Sequence, residues 1–371
     1  MNEKIAVVLP CYRSKRHVLD VIAKIGPEAF LIIAVDDACP EQTGAHIEAN
    51  CTDQRVTVVR NTINQGVGGA VIHGYRVALA RGADIVVKID SDGQMDPSLL
   101  PRMVHSIQTG RADYAKGNRF FNIEDVRTMP KARVFGNAGL SFLTKLSSGY
   151  WNIFDPTNGY TAIHCIALGM LPLDKIDRRF FFESDMLFRL YTIGAVVFDV
   201  PIRAAYGDEK SNLRISKILV PFFLKNMRNF LKRVFYRYYL RDMNLGSLEL
   251  VVGSVLFAFG TIFGLTEWVS LASAGEIATA GTVMLAGLPI LVGVQMILGF
   301  FAFDYMAVPS VPLQTALAAR LPLDRMSPAG AGGMNIENEP DASEPRRRNP
   351  STEPDQCGDS EDGATQSGRG R

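Results

Sequence analysis

Two long uncharged runs, Leu250 to Thr266 and Ile277 to Phe303, constrain this 371-residue chain more than anything else in it. The first keeps its apolar character past Glu267 to Ala274. A helix that crosses about 30 Å of hydrocarbon needs roughly 20 apolar residues. Two such runs back to back read as a membrane hairpin rather than as buried helices of a soluble core. Their connection, Ser273 to Thr279, holds no Lys or Arg, whereas eight Lys or Arg and no Asp or Glu fill Arg214 to Arg241, and Arg320 and Arg325 follow the second run. The positive-inside rule then puts both ends in the cytoplasm and the short loop outside.

Ahead of the hairpin the pattern is of another kind. Ile5 to Leu9, Leu31 to Val35, Val56 to Val59 and Ile85 to Ile89 are short apolar, β-rich runs, with helical stretches at Val18 to Ile25 and Gly69 to Arg81. This alternation predicts an α/β domain with a mostly parallel sheet and helices on both faces. Residues 211–246 interleave their basic residues with Phe222, Phe223, Phe230, Phe235 and Tyr236, the composition of helices that lie in a headgroup layer. From about Ser327 the chain is rich in Gly, Pro, Ser and charge and predicts disorder. The expected organisation is therefore a domain over 1–210, juxtamembrane helices over 211–246, two membrane helices over 247–306 and a tail over 307–371.

The net charge of +1 is segregated along the chain and says nothing about nucleic acid. The five Cys, at 11, 39, 51, 165 and 357, are scattered and form no Cys-x-x-Cys pair. They suggest neither a disulfide framework nor a zinc site. Ile5 to Leu9 is too short for a signal peptide and Pro10 ends it.

Chemistry concentrates where strands end. Asp90-Ser91-Asp92-Gly93-Gln94 leaves the run Ile85 to Ile89. Two carboxylates and an amide at such a place suit a hard divalent cation, which takes oxygen ligands and completes its shell with phosphate oxygens. Open α/β sheets bind ligands at that same edge. A polar strand-end turn has the same composition, so the segment gains meaning from its companions. Leu9-Pro10-Cys11-Tyr12 ends the first strand, and Asp36-Asp37-Ala38-Cys39 ends the second. Asn61-x-x-Asn64-x-Gly66-x-Gly68-Gly69 enters a helix, and Gly117-Asn118-Arg119-Phe120 follows the Asp pair. The glycine run is not the dinucleotide fingerprint, which opens the helix after the first strand and reads G-x-G-x-x-G. It either packs near a nucleotide or allows close backbone packing at a helix start.

In this order the motifs resemble family-two glycosyltransferases of the GT-A fold, and among them the polyprenyl-phosphate type, which includes dolichol-phosphate mannosyltransferases and bacterial undecaprenyl-phosphate sugar transferases. The resemblance covers residues 4 to about 210, and the hairpin is similar to the bacterial branch. It implies an inverting, metal-dependent transfer from a UDP- or GDP-sugar to a polyprenyl phosphate at the cytoplasmic leaflet of a bacterial-type inner membrane. Nucleotide contacts are implied for Pro10, Tyr12, Asp37 and Asp90, with Mg²⁺ or Mn²⁺ on Asp90, Asp92 and Gln94. Arg119 matches the position that pairs with donor diphosphate. Arg133, with Lys131 or Arg127, is the candidate for the acceptor phosphate, because a guanidinium presents a planar fork of donors. Asp155 lies in a loop similar to one under the sugar site. Glu183 and Asp185 match a Glu-Asp pair, so Asp155, Glu183 and Asp185 are the candidate catalytic carboxylates. A phosphate monoester is already largely dianionic at pH 7, so these carboxylates are expected to position substrates more than to remove a proton.

One departure stands out. Dolichol-type relatives tend to follow the Pro-Ile strand with Arg-x-x-Gly-x-Ser, and here Pro201-Ile202 leads to Tyr206-Gly207-Asp208 without that Arg. Two other readings stay open: transfer to a lipid-linked oligosaccharide or polymer, and a non-catalytic membrane scaffold. The Gln-x-x-Arg-Trp motif of processive synthases is absent, with Trp only at 151 and 268. The sugar, the base and any homo-oligomer are not legible.

Overall fold

The apolar runs near the N-terminus form strands because Val and Ile dominate them and both of their faces are covered. The computed structural model describes residues 3–121, 131–202 and 215–318, with the side chains of 131–133, 215–219 and 318 outside that description. The elements run β1 (Ile5–Cys11), α1 (Val18–Ala23), β2 (Ala29–Asp36), α2 (Thr43–Asn50), β3 (Val56–Arg60), α3 (Val67–Ala80), β4 (Ile85–Lys88), α4 (Leu100–Gln108) and β5 (Tyr114–Asn118). They continue with α5 (Lys131–Ser148), β6 (Thr161–His164), α6 (Cys165–Met170), α7 (Phe182–Ile193), β7 (Val197–Pro201) and α8 (Ile215–Phe235). A π-helical turn (Tyr236–Arg241) leads to α9 (Leu245–Ala274), α10 (Ala280–Met306) and α11 (Leu313–Ala318).

Among the described residues the strands form one seven-stranded sheet in the order β3-β2-β1-β4-β6-β5-β7. Only β6 runs antiparallel, paired with β4 on one side and β5 on the other. One face packs Val8, Val35 and Val86 against Tyr75 of α3 and Met186 of α7; the other packs Val7, Ile32 and Val87 against Met103 and Ile107 of α4. The order reverses at β1, from which β2 departs to one side and β4 lies on the other. The carboxyl ends of β1 and β4 therefore diverge into a crevice, the place where open α/β sheets take ligands. Lys88 and Lys116 both stand in register with Thr161, one from each neighbour of β6.

The two uncharged runs are α9 and α10. Each is long and apolar enough to cross a membrane, and only 11% of either apolar window is buried, which a soluble core helix does not tolerate. They pack through small residues: a Cβ added at Gly260 would meet Ala286 O at 2.7 Å, and one at Gly293 would meet Phe257 N at 2.6 Å. Helix α8 is turned inside out relative to a soluble amphipathic helix. Its buried residues include Asn226, Asn229 and Arg233, while Phe223, Leu224, Leu231 and Phe235 are exposed beside Lys225, Arg228 and Lys232. Such a face suits a headgroup layer rather than water.

Candidate active site

The crevice is held by a small hydroxyl. Ser91 Oγ donates to Pro10 O at 2.7 Å and shares a hydrogen bond with the Ser14 hydroxyl at 2.8 Å, clamping the Asp90–Gln94 turn to the end of β1. Gly93, at φ +79°, lets the turn close, and Asp92 Oδ1 accepts from Gln94 N at 3.0 Å. Tyr12 is exposed at the same edge, with the Arg13 guanidinium 5.5 Å from its ring centre, and Pro10 is half-buried.

Below that turn lies a residue the sequence reading missed. Lys88 is 1% exposed, and its Nζ sits 2.9 Å from Asp90 Oδ1 and 3.2 Å from Glu183 Oε1. Burial alone drives an ammonium toward neutrality, but the two carboxylates outweigh it and hold the Lys88 pKa above its ordinary value. Asp90 Oδ1 is buried, with the Lys88 ammonium as its ion-pair partner. Gly159 covers the pair so closely that an added Cβ would meet Asp90 Oδ2 at 2.6 Å. The signal for Lys88 lay in Ile85-Val-Val-Lys-Ile89: a lysine inside a run buried on both faces is almost never unpaired.

The adjacent aspartates at the end of β2 divide their work. Asp36 accepts from Cys39 N at 2.7 Å and Gly44 N at 2.6 Å, which orients its own loop. Asp37 accepts from Asn61 Nδ2 at 2.7 Å and from Gln65 N and Gly66 N at 2.8 Å each. Its buried carboxylate thus shapes the loop that enters α3, and three of its roughly four acceptor positions are taken by protein. Gly66, at φ +84°, and Gly68 admit the 177–179 backbone: a Cβ at Gly68 would lie 2.5 Å from Asp177 O. Close packing is therefore what these glycines do in the structure.

A second cluster stands at the end of β5. Arg119 binds Asp155 as a fork, Nε to Oδ2 at 2.7 Å and Nη2 to Oδ1 at 2.7 Å. Asp155 is wholly buried and holds φ +52°, a strained value for a side-chain-bearing residue. Lys116, also buried, secures that conformation by donating to Phe154 O at 3.0 Å and to Asp155 O. Burial pushes the Asp155 carboxyl up, but the Arg119 guanidinium and Lys116 prevail and leave it below the ordinary range. Burial drives the Lys116 pKa down.

These contacts bear on two of the candidate carboxylates. Asp155 is inaccessible and both its oxygens grip Arg119. Asp185 is buried as well: it accepts from Asp177 N at 2.9 Å, Arg189 Nε at 2.9 Å and Asn229 Nδ2 at 3.0 Å. It staples α7 to α8. Glu183, with 14% of its side chain exposed, is the member of the pair that reaches the Asp90 cluster. Arg127 lies outside the described residues. Lys131 and Arg133 fall in the first turn of α5, with side chains outside the description.

Among the described residues no three His, Cys, Asp or Glu form a complete metal cage. A cation on Asp90, Asp92 and Gln94 would take the rest of its shell from phosphate and water, which is the habit of Mg²⁺.

Comparison with known proteins places the chain among glycosyltransferases by sequence. Residues 6–169 match the model of glycosyl transferase family 2. The undecaprenyl-phosphate mannosyltransferase of Micrococcus luteus is 30% identical over 204 residues, covering 54% of this chain and 82% of that one. The UDP-N-acetylglucosamine–dolichyl-phosphate N-acetylglucosaminyltransferase of Methanococcus voltae is 27% identical over 250 residues, covering 64% of this chain and 95% of that one. A crystal structure of glucosyl-3-phosphoglycerate synthase from Mycobacterium tuberculosis superposes with a TM-score of 0.45 at 21% identity, over 62% of this chain and 80% of that one.

Proposed function

This chain belongs to glycosyl transferase family 2, and on that premise we propose that it transfers a sugar from a UDP- or GDP-sugar to a polyprenyl phosphate, with inversion, at the cytoplasmic face of a bacterial-type cell membrane. The observation that carries the reading is a juxtaposition. The oxygen set Asp90, Asp92 and Gln94 follows β4 and the Arg119–Asp155 fork follows β5, the two strands that flank β6, in a sheet whose chain continues into an apolar hairpin. Relatives at 27–30% identity carry undecaprenyl- and dolichyl-phosphate in their names, with different sugars, which supports the acceptor class and leaves the sugar open.

In this reading Pro10, Tyr12 and the loop shaped by Asp37 border the nucleoside. Asp92 and Gln94, with Asp90, hold Mg²⁺ or Mn²⁺, which when bound supplies positive charge for the diphosphate that departs. Asp90 is steadied by Lys88. Arg119, its Nε–Nη2 edge held by Asp155, brings the charge of its guanidinium to donor phosphate. Glu183 fixes the sugar or the acceptor. The acceptor phosphate is its own nucleophile, a dianion above a second pKa near 6. The basic start of α5 binds that phosphate, and the outward face of α8 lies among headgroups.

Full-length protein in phospholipid vesicles tests the reading. Undecaprenyl phosphate, or undecaprenol lacking the phosphate, is offered with Mg²⁺ or Mn²⁺ and a panel of radiolabelled UDP- and GDP-sugars. The expected result is a lipid-linked sugar formed from the phosphate and not from the alcohol. Label that enters only oligosaccharide-bearing lipid would favour the polymer-type acceptor instead.

A further inference from the structure

Asp304 lies in the last turn of α10 with no exposed surface, and donors from three parts of the chain converge on its two oxygens. Arg233 Nη1 is 2.5 Å from Oδ1 and Nη2 is 2.9 Å from Oδ2. Tyr238 donates its hydroxyl to Oδ1 at 2.6 Å, and Trp151 donates Nε1–H to Oδ2 at 2.8 Å. Arg233 is equally buried and gives Nη2 to Leu146 O at the end of α5 at 3.0 Å.

A buried ion pair of this kind adds little stability over a well-packed apolar contact, because both charges lose their water. What it supplies is direction. An apolar helix rotates and slides against an apolar surface at small cost, whereas four hydrogen bonds on one carboxylate admit a single register. The junction also grips α5. Lys145 Nζ, near the end of that helix, donates to Trp151 O at 2.8 Å. Arg233 and Trp151 thus tie the end of the hairpin to the end of α5, the helix whose first turn carries Lys131 and Arg133.

We propose that Asp304 is a positioning residue that locks the membrane hairpin onto Trp151 and the end of α5 and so sets the height at which a lipid phosphate meets the basic start of that helix. The proposal rests on the polyprenyl-phosphate reading above. It predicts a split effect: the donor half of the reaction is indifferent to the junction and the lipid half depends on it.

The test uses full-length protein in phosphatidylglycerol–phosphatidylethanolamine vesicles containing undecaprenyl phosphate. Trp151→Phe removes one donor and keeps most of the ring bulk, and Asp304→Asn removes the charge without changing shape. Arg233→Met with Asp304→Leu replaces the pair by apolar groups that preserve packing. The expected result is nucleoside diphosphate affinity within about twofold of wild type in all three, since the nucleotide site is untouched. Transfer is expected to fall about tenfold in Trp151→Phe, the size of one charge-assisted hydrogen bond, and further in the other two. Unchanged transfer in Trp151→Phe and Asp304→Asn overturns the proposal. So does wild-type transfer in the double variant, or nucleotide affinity that falls in step with transfer, which marks a general folding role. Wild-type protein that binds nucleotide but makes no lipid product contradicts the acceptor reading and this proposal together, so the wild-type reaction tells the two failures apart.

Discussion

Lys88 Nζ lies 3.2 Å from Glu183 Oε1, joining a strand residue to a helix residue 95 positions later. The same ammonium is 2.9 Å from Asp90. One buried cation therefore fixes two carboxylates of the crevice, and each carboxylate keeps the cation charged.

Lys88→Met removes that cation and leaves two negative groups close together in a partly dry site. Losing one partner of a buried pair costs about 3 kcal/mol. The expected outcome is a lower thermal midpoint together with a fall in kcat of more than about a hundredfold, two decades in rate being 2.7 kcal/mol of barrier. Raised Mg²⁺ or Mn²⁺ restores part of the stability and not the rate. Denaturation followed beside initial rates reads both effects.

Glu183 and Asp185 are expected to separate. Asp185→Asn weakens the Arg189 pair and the staple to Asn229, so stability falls while transfer drops less than about tenfold. Glu183→Gln keeps the fold and lowers kcat by less than about a hundredfold, short of the full range for a lost general base. Paired thermal melts and steady-state rates on the two variants give the comparison. A loss near 10⁴ in Glu183→Gln would make that carboxylate a base.

The strands with clean apolar runs were legible: β1, β2, β3 and β4 lie where Ile5, Leu31, Val56 and Ile85 begin their segments. Helix α3 was legible from its period, and α9 and α10 from uncharged length. Strands β5 and β6 were not, because Tyr114–Asn118 carries Lys116 and Asn118, and Thr161–His164 is four residues long. Their identity as strands comes from pairing across the sheet, a non-local fact. The Asp90–Gln94 motif stood out because a hard cation takes oxygen ligands of those types. Lys116 and the buried roles of Asp155 and Asp185 could not be read, since a carboxylate's partner is fixed by tertiary packing. Arg119 and Asp155 stand 36 positions apart, and nothing in either motif alone says that they face one another.

Arg119 and Asp155 act as a unit, so their substitutions are expected to be non-additive. Arg119→Lys cannot reproduce the two-point fork, and Asp155→Asn loses the charge that aims it. Each alone raises the donor KM several-fold. The double variant is expected to cost scarcely more than Arg119→Lys, a coupling within the usual range of roughly 0.5–3 kcal/mol. Independent, additive losses would mean that Asp155 does not position Arg119.

The fork is also expected to be insensitive to pH across the working range. The Asp155 pKa is depressed in the folded chain. A depressed carboxylate contributes stability that is present above its unfolded pKa, about 3.9, and is lost only as pH falls through the lower folded value. Between pH 5 and 8 Asp155 therefore imposes no change. The acid limb of the transfer rate belongs to the acceptor, whose second phosphate ionisation lies near 6. A pH–rate profile is expected to fall below about pH 6 and to keep that limb in Glu183→Gln. A limb that disappears in this variant would assign it to the protein.

The central claim is the transfer itself, and the most direct measurement partitions label between phases. Full-length protein in vesicles with undecaprenyl phosphate and Mg²⁺ or Mn²⁺ receives radiolabelled nucleotide sugar, beside Asp92→Ala and a chelated control. The expected result is an organic-extractable, acid-labile sugar lipid from wild type that vanishes in both controls. Folded wild-type protein that binds nucleotide, yet leaves all label in water with every UDP- and GDP-sugar, would contradict the account.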